Sequence, residues 1–273
     1  MAFRSLLFVP GARPDRFEKA LAAGADAVCI DLEDAVAPPG KAEARAATLA
    51  FLTHARAGGP ALGLRINSPR TAWGAADLAA LAESAATPAF LMVPKAAHAE
   101  ELVIIGEVLG AKRAPLWPIV ESGLGLTRAA SIAAAPGVEG VLFGGADFSA
   151  DLGATLEWEP MLHARGVLAA ACAAAGVDLL DVPYLDVEDD AGLIDTTKRV
   201  KAMGFTGRAC IHPKQIVGVH TAFTPTSDEL ARARRVLAAF EEAKGGAALL
   251  DGKLVELPVI RAARRVLAAS GEA

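Results

Sequence analysis

The sequence PIVESGLGLTRAASIAAAPGVEGVLFGGADFSADLG, residues 118–153, is predicted to form a strand, a loop, a helix, a second strand and a second loop. Apolar runs at 116–120 and 138–143 predict the strands, and the alanine-rich segment between them predicts a helix. The first strand ends at Glu121 and the second runs into Asp147. Strands separated by one such connection are parallel neighbours, so both carboxylates are predicted to lie at the same edge of a sheet.

The same strand–helix pattern continues along the whole chain. The predicted strands cover residues 5–9, 27–32, 62–66, 89–93, 116–120, 138–143, 177–180 and 207–211. Alternating strands and helices predict a parallel sheet, and eight such units have the size of an α/β protein with a (β/α)₈ TIM barrel. An open doubly wound sheet is the alternative. No G-x-G-x-x-G follows the first strand, which excludes the dinucleotide-binding version of that fold.

Charged side chains stand at or just after the ends of the predicted strands. They are Glu33, Arg65, Lys95, Glu121, Asp147, Asp181 and His212. In a (β/α)₈ barrel this end carries the chemistry, so we predict an active site there. Two carboxylates held close together repel each other unless a positive charge lies between them. Mg²⁺, which binds through one or two carboxylates together with water and substrate oxygens, fits Glu121 and Asp147, and Mn²⁺ is an alternative.

The barrel is predicted to end near residue 222. Residues 223–273 predict a C-terminal helix-hairpin-helix extension, with helices at 226–244 and 258–269 around a β-hairpin at 248–257. We therefore divide the chain into a catalytic barrel, residues 1–222, and an extension that acts as a lid or a subunit contact.

Composition limits the possible partners and location. The net charge is −5 and no block of like charges occurs, which argues against a nucleic-acid surface. No apolar run is long enough for a membrane-spanning helix. The three cysteines, Cys29, Cys172 and Cys210, lack pair spacing. We interpret them as reduced core residues of a cytoplasmic protein.

Seven short motifs, in this order, carry a family resemblance. They are RSLLFVPG at 4–11, DLEDAV at 31–36, LRIN at 64–67, VPK at 93–95, IVES at 119–122, GGADFSADLG at 144–153 and GFTGRACIHPKQI at 204–216. With them the chain resembles the β-subunit-like family of citrate lyase, in the aldolase group that includes malyl-CoA lyase. The resemblance implies a (β/α)₈ barrel, a homotrimer or hexamer, bound Mg²⁺, and cleavage or formation of carbon–carbon bonds beside acyl thioesters.

The resemblance also implies roles for individual residues. Glu121 and Asp147 match metal ligands, and Arg65 matches the arginine that faces the carbonyl and carboxylate oxygens of the substrate. Glu33 matches an acidic residue that holds this arginine or a metal-bound water. Further predicted substrate-binding residues are Lys95, Gly145 and Ala146, with Arg4, Arg13 and Lys19 at positions where relatives hold the phosphates of CoA.

One position departs from the family pattern. Thioester lyases of this group carry a catalytic aspartate on a C-terminal lid that reaches a neighbouring subunit, within a pattern of hydrophobic–Asp–hydrophobic–Pro. The matching stretch here is Val255–Glu256–Leu257–Pro258, which keeps the acid but moves it by one methylene. Catalytic geometry is sensitive to displacements of this size, so the substrate or the reaction can differ from that of the thioester lyases. We predict Glu256 as a proton shuttle.

The main functional hypothesis is a Mg²⁺-dependent lyase. It cleaves a 3-hydroxyacyl-CoA thioester to a keto acid and an acetyl-CoA-type thioester, with Arg65 stabilising the developing oxyanion. Two alternatives remain. The chain is a β subunit of a citrate lyase complex that acts on a citryl thioester of an acyl-carrier protein, or it is a non-catalytic barrel that serves as a binding or assembly module.

Each site residue also has a purely structural interpretation. Asp147 fits a helix cap, Glu121 a solvated loop carboxylate, and Arg65 an ion pair with Glu33. Lys95 fits a structural role as well as a functional one. His212 and Asp181 are interpreted as members of hydrogen-bond networks rather than as catalysts.

Overall fold

The computed structural model describes residues 3–54, 58–243 and 248–270. The chain divides into two compact units, Met1–His220 and Thr221–Ala273. The division falls inside the helix Gln215–Phe223, which also contains the boundary predicted from the sequence. No helix among the described residues is both long and apolar enough to cross a membrane.

Eight parallel strands in sequence order form a closed barrel in the first unit. They are β1 (Ser5–Pro10), β2 (Ala27–Asp31), β3 (Ala61–Arg65), β4 (Leu91–Val93), β5 (Leu116–Val120), β6 (Gly140–Phe143), β7 (Asp178–Asp181) and β8 (Gly207–Cys210). Pairing of β1 with β8 closes the barrel. The predicted (β/α)₈ barrel is therefore confirmed.

Helices connect the strands. In chain order they are α1 (Phe17–Leu21), α2 (Lys41–Leu52), α3 (Ala72–Glu83), α4 (Ala99–Leu109), α5 (Gly123–Thr127), α6 (Ala129–Ala133), α7 (Gly145–Leu152), α8 (Trp158–Ala175), α9 (Asp190–Ala202) and α10 (Gln215–Phe223). The prediction of a single helix after β5 is wrong. Two short helices are present instead, because α5 ends at Thr127 and α6 begins at Ala129. The sequence interpretation also missed α7 and treated its residues as a loop.

Large aromatic side chains fill the lower part of the barrel, at the N-terminal ends of the strands. Trp117 stacks on Phe3 with 5.2 Å between ring centroids and contacts Phe90 at 6.1 Å. These rings fit because glycines lie opposite them. A Cβ at Gly63 would be 2.2 Å from Phe90, and a Cβ at Gly140 would be 2.4 Å from Trp117. The barrel is thus a packed core and not a pore.

Strand alternation decides which charged residues reach the barrel interior. Cys29 in β2 and Ile119 in β5 belong to the interior core. Side chains two residues further along a strand point the same way. Asp31 and Glu121 therefore point inward above the core, and Arg65 does so above Gly63 in β3.

Asp181 has the opposite orientation, because its neighbour Leu180 occupies the interior. The Asp181 carboxylate accepts hydrogen bonds from Arg165 Nε at 2.9 Å and from Arg208 Nη2 at 2.8 Å. All three charged side chains are almost completely buried. Asp181 therefore ties β7 and β8 to α8, which agrees with its interpretation as a network residue.

Substitution of Asp181 by asparagine is expected to destabilise the protein by about 3 to 5 kcal/mol, because two buried guanidinium groups lose their counter-charge. Urea unfolding followed by circular dichroism measures this loss. Asp195→Asn is the matched control, since Asp195 is exposed on α9. The control is expected to stay within about 0.5 kcal/mol of wild type. Equal stability of the two variants would contradict the assigned role.

The second unit contains two helices and a hairpin. Helix α11 (Ser227–Glu242) begins with a capping box between Thr226 and Glu229, and α12 (Leu257–Ala268) follows the hairpin. Strands β9 (Ala248–Leu250) and β10 (Lys253–Val255) pair in antiparallel fashion. The helix-hairpin-helix order matches the predicted one. The small core of this unit contains Ala233, Val236, Val255, Ile260, Ala263 and Leu267.

Candidate active site

Arg65 is held by Asp31 at the upper end of the barrel. Its Nε and Nη2 atoms both donate to the Asp31 carboxylate at 2.6 Å. Asp31 also accepts hydrogen bonds from the backbone N–H groups of Glu33 and Ala35. Burial by itself lowers the pKa of Arg65, but the Asp31 carboxylate raises it by more than burial lowers it. The guanidinium is therefore a permanent cation. Arg65 is therefore fixed in one orientation by a bidentate ion pair.

Glu33 forms a second ion pair with the arginine, as its structural interpretation predicted, with 3.1 Å between Glu33 Oε2 and Arg65 Nη1. Asp31 supplies both of the hydrogen bonds to Arg65. A role for Glu33 in holding a metal-bound water stays a prediction. The sequence interpretation missed Asp31 as a site residue. A usable signal was its position, because Asp31 pairs directly with Arg65 in the register between β2 and β3.

Lys95 lies at the centre of the acidic residues. Its ammonium nitrogen is 2.8 Å from Glu33 Oε1, 3.4 Å from Asp147 Oδ2, 3.9 Å from Asp34 Oδ2 and 4.0 Å from Glu121 Oε1. Three of the strand-end carboxylates predicted from the sequence, Glu33, Glu121 and Asp147, therefore converge on Lys95. The sequence did not indicate that Lys95 would be their common partner.

Glu121 is buried although it carries a carboxylate. Burial, and after it the negative charge of Glu33, raises the pKa of Glu121 to about 8 against the opposing effect of Lys95. The backbone N–H of Lys95 donates to Glu121 Oε1 at 2.5 Å. A Cβ at Gly144 would be 2.5 Å from the Cβ of Glu121, so only glycine leaves room for this side chain. The interpretation of Glu121 as a solvated loop residue is wrong.

Asp147 lies in the first turn of α7 and is about half exposed. Gly144 occupies the cap position of this helix, and no side chain caps it. The helix-cap interpretation of Asp147 is therefore wrong.

A cavity of about 380 Å³ opens above these residues. Its charged wall contains Asp31, Asp34, Arg65, Glu121 and Asp147, and its apolar wall contains Phe8, Ile119, Leu142, Phe143, Val182, Leu185 and Ile211. Of the predicted backbone contacts, Ala146 lines the cavity together with Gly144. Gly145, predicted to bind substrate, is buried and does not line the cavity. A Cβ at this position would be 3.1 Å from side-chain atoms of Leu156 and Val182.

Other predicted residues lie elsewhere. Arg4 is wrong as a CoA-binding residue of this cavity, because it precedes β1 and forms a bidentate pair with Asp26 at the opposite end of the barrel. Arg13 is exposed and pairs with Asp15. Lys19 lies in α1, and Glu256 directly precedes α12 in the second unit. Roles for Arg13, Lys19 and Glu256 stay predictions.

His212 is exposed and accepts a hydrogen bond from the backbone N–H of Lys214 at 3.2 Å. This contact agrees with its interpretation as a loop histidine. Cys29, Cys172 and Cys210 are buried free thiols, as predicted.

The donor set fits a hard divalent cation. No group of three or more His, Cys, Asp or Glu side chains within the described ranges forms a complete metal cage. However, Glu121 and Asp147 face the same ammonium, and Glu33 Oε2 is buried without a hydrogen-bond partner. Mg²⁺ usually binds through one or two carboxylates together with water and substrate oxygens, which is what these residues offer.

The raised pKa of Glu121 leads to a pH-dependent stability. Between the ordinary value of 4.5 and about 8, the folded protein keeps a proton on Glu121 that the unfolded chain has released. Stability of the chelator-treated protein is therefore expected to fall as pH rises through this range. Glu121→Gln removes the buried charge, so the variant is expected to melt about 2 °C or more above wild type at about pH 8.5.

Thermal unfolding followed by circular dichroism at about pH 5 and about pH 8.5 measures this difference, which is expected to be small at the lower pH. Glu107→Gln serves as the control, because Glu107 is exposed on α4. A difference between Glu121→Gln and wild type that is the same at both pH values would show that the carboxylate is not the cause.

Fold and site together define a class of protein. The molecule is a (β/α)₈-barrel protein that carries a fixed arginine and a convergent acidic cluster at the C-terminal ends of its strands. The family model for HpcH/HpaI aldolase/citrate lyase matches residues 4–213, and the chain belongs to this family.

Relatives of known activity cover nearly the whole chain. A (3S)-malyl-CoA thioesterase of Cereibacter sphaeroides is 36% identical over 271 residues, which are 97% of this chain and 94% of the relative. An L-malyl-CoA/beta-methylmalyl-CoA lyase of Rhodobacter capsulatus is 33% identical, and the match covers 97% of this chain and 93% of the lyase.

Solved structures give the same relationship. CitE of Mycobacterium tuberculosis, crystallised with magnesium, acetoacetate and coenzyme A, is 37% identical with a TM-score of 0.86, and the match covers 99% of each chain. RipC of Yersinia pestis is 39% identical with a TM-score of 0.74, and the match covers 83% of this chain and 97% of RipC.

Proposed function

We propose that this protein is a Mg²⁺-dependent carbon–carbon lyase of 3-hydroxyacyl-CoA thioesters, which produces a keto acid and an acetyl-CoA-type thioester. The observation that carries the proposal is the convergence of Glu121 and Asp147 on one cation position. Both carboxylates and the Arg65–Asp31 pair line the same cavity. Lyases among the relatives act on malyl-CoA and beta-methylmalyl-CoA, and CitE was crystallised with magnesium and coenzyme A.

Each side chain has a task in this reaction. Arg65 donates hydrogen bonds to the oxygen that becomes the keto group or to the adjacent carboxylate, and Asp31 keeps its guanidinium in that direction. Glu121 and Asp147 would hold the metal, which supplies Lewis-acid polarisation of the substrate oxygens when bound. Glu33 pairs with the Lys95 ammonium, with 2.8 Å between Glu33 Oε1 and Lys95 Nζ.

Cleavage requires two proton movements. A base removes the proton of the 3-hydroxyl group, and the electrons of the carbon–carbon bond pass to the thioester, which becomes an enolate. The enolate carbon then receives a proton. Glu256 of a neighbouring subunit is the proposed donor in a homotrimer or hexamer, and Arg13 and Lys19 are proposed to bind the phosphates of CoA.

A thioesterase is the second candidate function. Relatives named (3S)-malyl-CoA thioesterase are 36% identical, slightly more than the lyase of Rhodobacter capsulatus. Hydrolysis breaks the carbon–sulfur bond and leaves the carbon skeleton intact, so one substrate distinguishes the two reactions.

The test incubates the purified protein with malyl-CoA and Mg²⁺ and measures two products. A lyase releases glyoxylate, detected as its phenylhydrazone, and no free thiol. A thioesterase releases the thiol of CoA, detected with a disulfide reagent, and no glyoxylate. Methylmalyl-, citryl- and hydroxymethylglutaryl-CoA extend the panel, and a citryl thioester of an acyl-carrier protein tests the citrate lyase alternative. Cleavage that persists after removal of divalent ions would contradict the metal role.

A further inference from the structure

The backbone at Lys95 has a conformation that few residues other than glycine adopt. Its φ is 55°, in the left-handed region. The N–H of Lys95 donates to Glu121 Oε1 at 2.5 Å, and its carbonyl accepts from Arg70 Nη2 at 2.6 Å. Such a conformation persists only where surrounding contacts hold it, and here both peptide groups of the residue are held. The loop after β4 is therefore built to present this side chain.

The side chain reaches the same carboxylates that would hold a metal. The Lys95 ammonium lies 3.4 Å from Asp147 Oδ2 and 4.0 Å from Glu121 Oε1. It also lies 2.8 Å from Glu33 Oε1, which is not among the proposed metal ligands. Because the Lys95 side chain is 42% exposed, it has room to move away from Glu121 and Asp147.

We propose that Lys95 is an internal counter-ion that competes with the divalent cation for Glu121 and Asp147, and so makes metal binding depend on an anionic substrate. This inference rests on the proposed metal site. A divalent ion between the two carboxylates repels an ammonium held within 4.0 Å of both. The displaced ammonium keeps Glu33 as a partner but loses the negative charges of Glu121 and Asp147, and the carboxylate of a bound keto acid replaces that lost charge.

The competition predicts reciprocal coupling between two ligands. A keto acid whose carboxylate pairs with the displaced ammonium makes metal binding tighter. Bound metal then makes keto-acid binding tighter by the same factor. A lysine that only supports Glu33 and Glu121 gives a different result, since its removal would loosen the carboxylates and weaken the metal site. The sign of the change on removing Lys95 therefore separates the two roles.

The experiment measures Mn²⁺ affinity by electron paramagnetic resonance, with and without saturating pyruvate as the keto-acid probe. It is done under argon at one fixed alkaline pH for all variants. Without pyruvate, Lys95→Met is expected to bind Mn²⁺ about tenfold more tightly than wild type, since one partly screened positive charge is removed. Pyruvate is expected to tighten Mn²⁺ binding to wild type by about tenfold and to the variant by less than about threefold.

Lys112→Met is the matched control, because it changes the net charge equally at an exposed lysine that donates to Ala82 and Ser84. It is expected to behave as wild type. Methionine keeps a Cβ at the left-handed position, and Lys95→Gln provides a second neutral variant if the first does not fold. If both neutral variants bind Mn²⁺ no more tightly than wild type, or if pyruvate tightens their Mn²⁺ binding as much as it does in wild type, the inference about Lys95 is overturned while the proposed metal site stands. Absence of Mn²⁺ binding to wild type would overturn the proposed metal site as well.

Discussion

Replacement of Glu121 by glutamine is expected to lower kcat for thioester cleavage by about 10³-fold or more, because the metal loses its buried ligand. Glutamine has nearly the same shape as glutamate and keeps an oxygen that accepts the backbone N–H of Lys95. The change therefore removes one negative charge and little else. Gly144 leaves the space that the Glu121 side chain occupies, so no neighbouring carboxylate is expected to take over its place as a metal ligand.

Steady-state kinetics with malyl-CoA, together with Mn²⁺ titration by electron paramagnetic resonance, measure this effect. Loss of activity is expected to accompany loss of metal binding, while the melting temperature at alkaline pH rises as described above. Glu107→Gln, on the exposed face of α4, is expected to keep full activity. A Glu121→Gln variant that turns over at the rate of wild type would remove the basis of the proposed function.

Replacement of Arg65 by methionine is expected to reduce kcat/KM by about 10³-fold, because the cavity loses its fixed donor to the developing oxyanion. Arg65→Lys restores the charge but not the two-pronged pairing with Asp31, so it is expected to recover only a small part of the activity. Asp31→Asn leaves Arg65 in the cavity without its bidentate partner. Its loss of kcat/KM is expected to lie between those of Arg65→Lys and Arg65→Met.

Kinetics of the three variants, with metal affinity measured in parallel, test the assignment. Metal affinity is expected to stay near that of wild type in Arg65→Lys, which separates the role of the arginine from that of the carboxylates. Arg113→Lys is the control, since Arg113 precedes β5 at the other end of the barrel and is exposed. Full activity of Arg65→Met would show that oxyanion stabilisation comes from elsewhere.

The fold could be predicted because strand ends leave a clear trace in the sequence. The apolar run that stops at Glu121 located β5, and the short run that carries Arg65 located β3 within one residue. Parallel order then placed Arg65 and Glu121 at one end of the barrel without any knowledge of their contacts. The CoA-binding role of Arg4 came from the family resemblance and not from its position, and a residue that precedes a strand lies at the opposite end of the barrel.

Other features depend on contacts that no local pattern contains. Asp31 and Glu33 both pair with Arg65, and Glu33 lies beyond the end of β2, so strand alternation did not show which of them forms the bidentate pair. The left-handed backbone of Lys95 is fixed by Arg70 and Glu121, both distant in sequence. The start of α7 at Gly145 was hidden because two glycines and an alanine also fit a loop.

The aromatic packing of Phe3, Phe90 and Trp117 has a kinetic consequence for the proposed lyase. With the lower end of the barrel filled, substrate enters and both products leave by a single route. We therefore expect both products of the proposed reaction to leave through the mouth of the cavity that Arg65, Glu121 and Asp147 line.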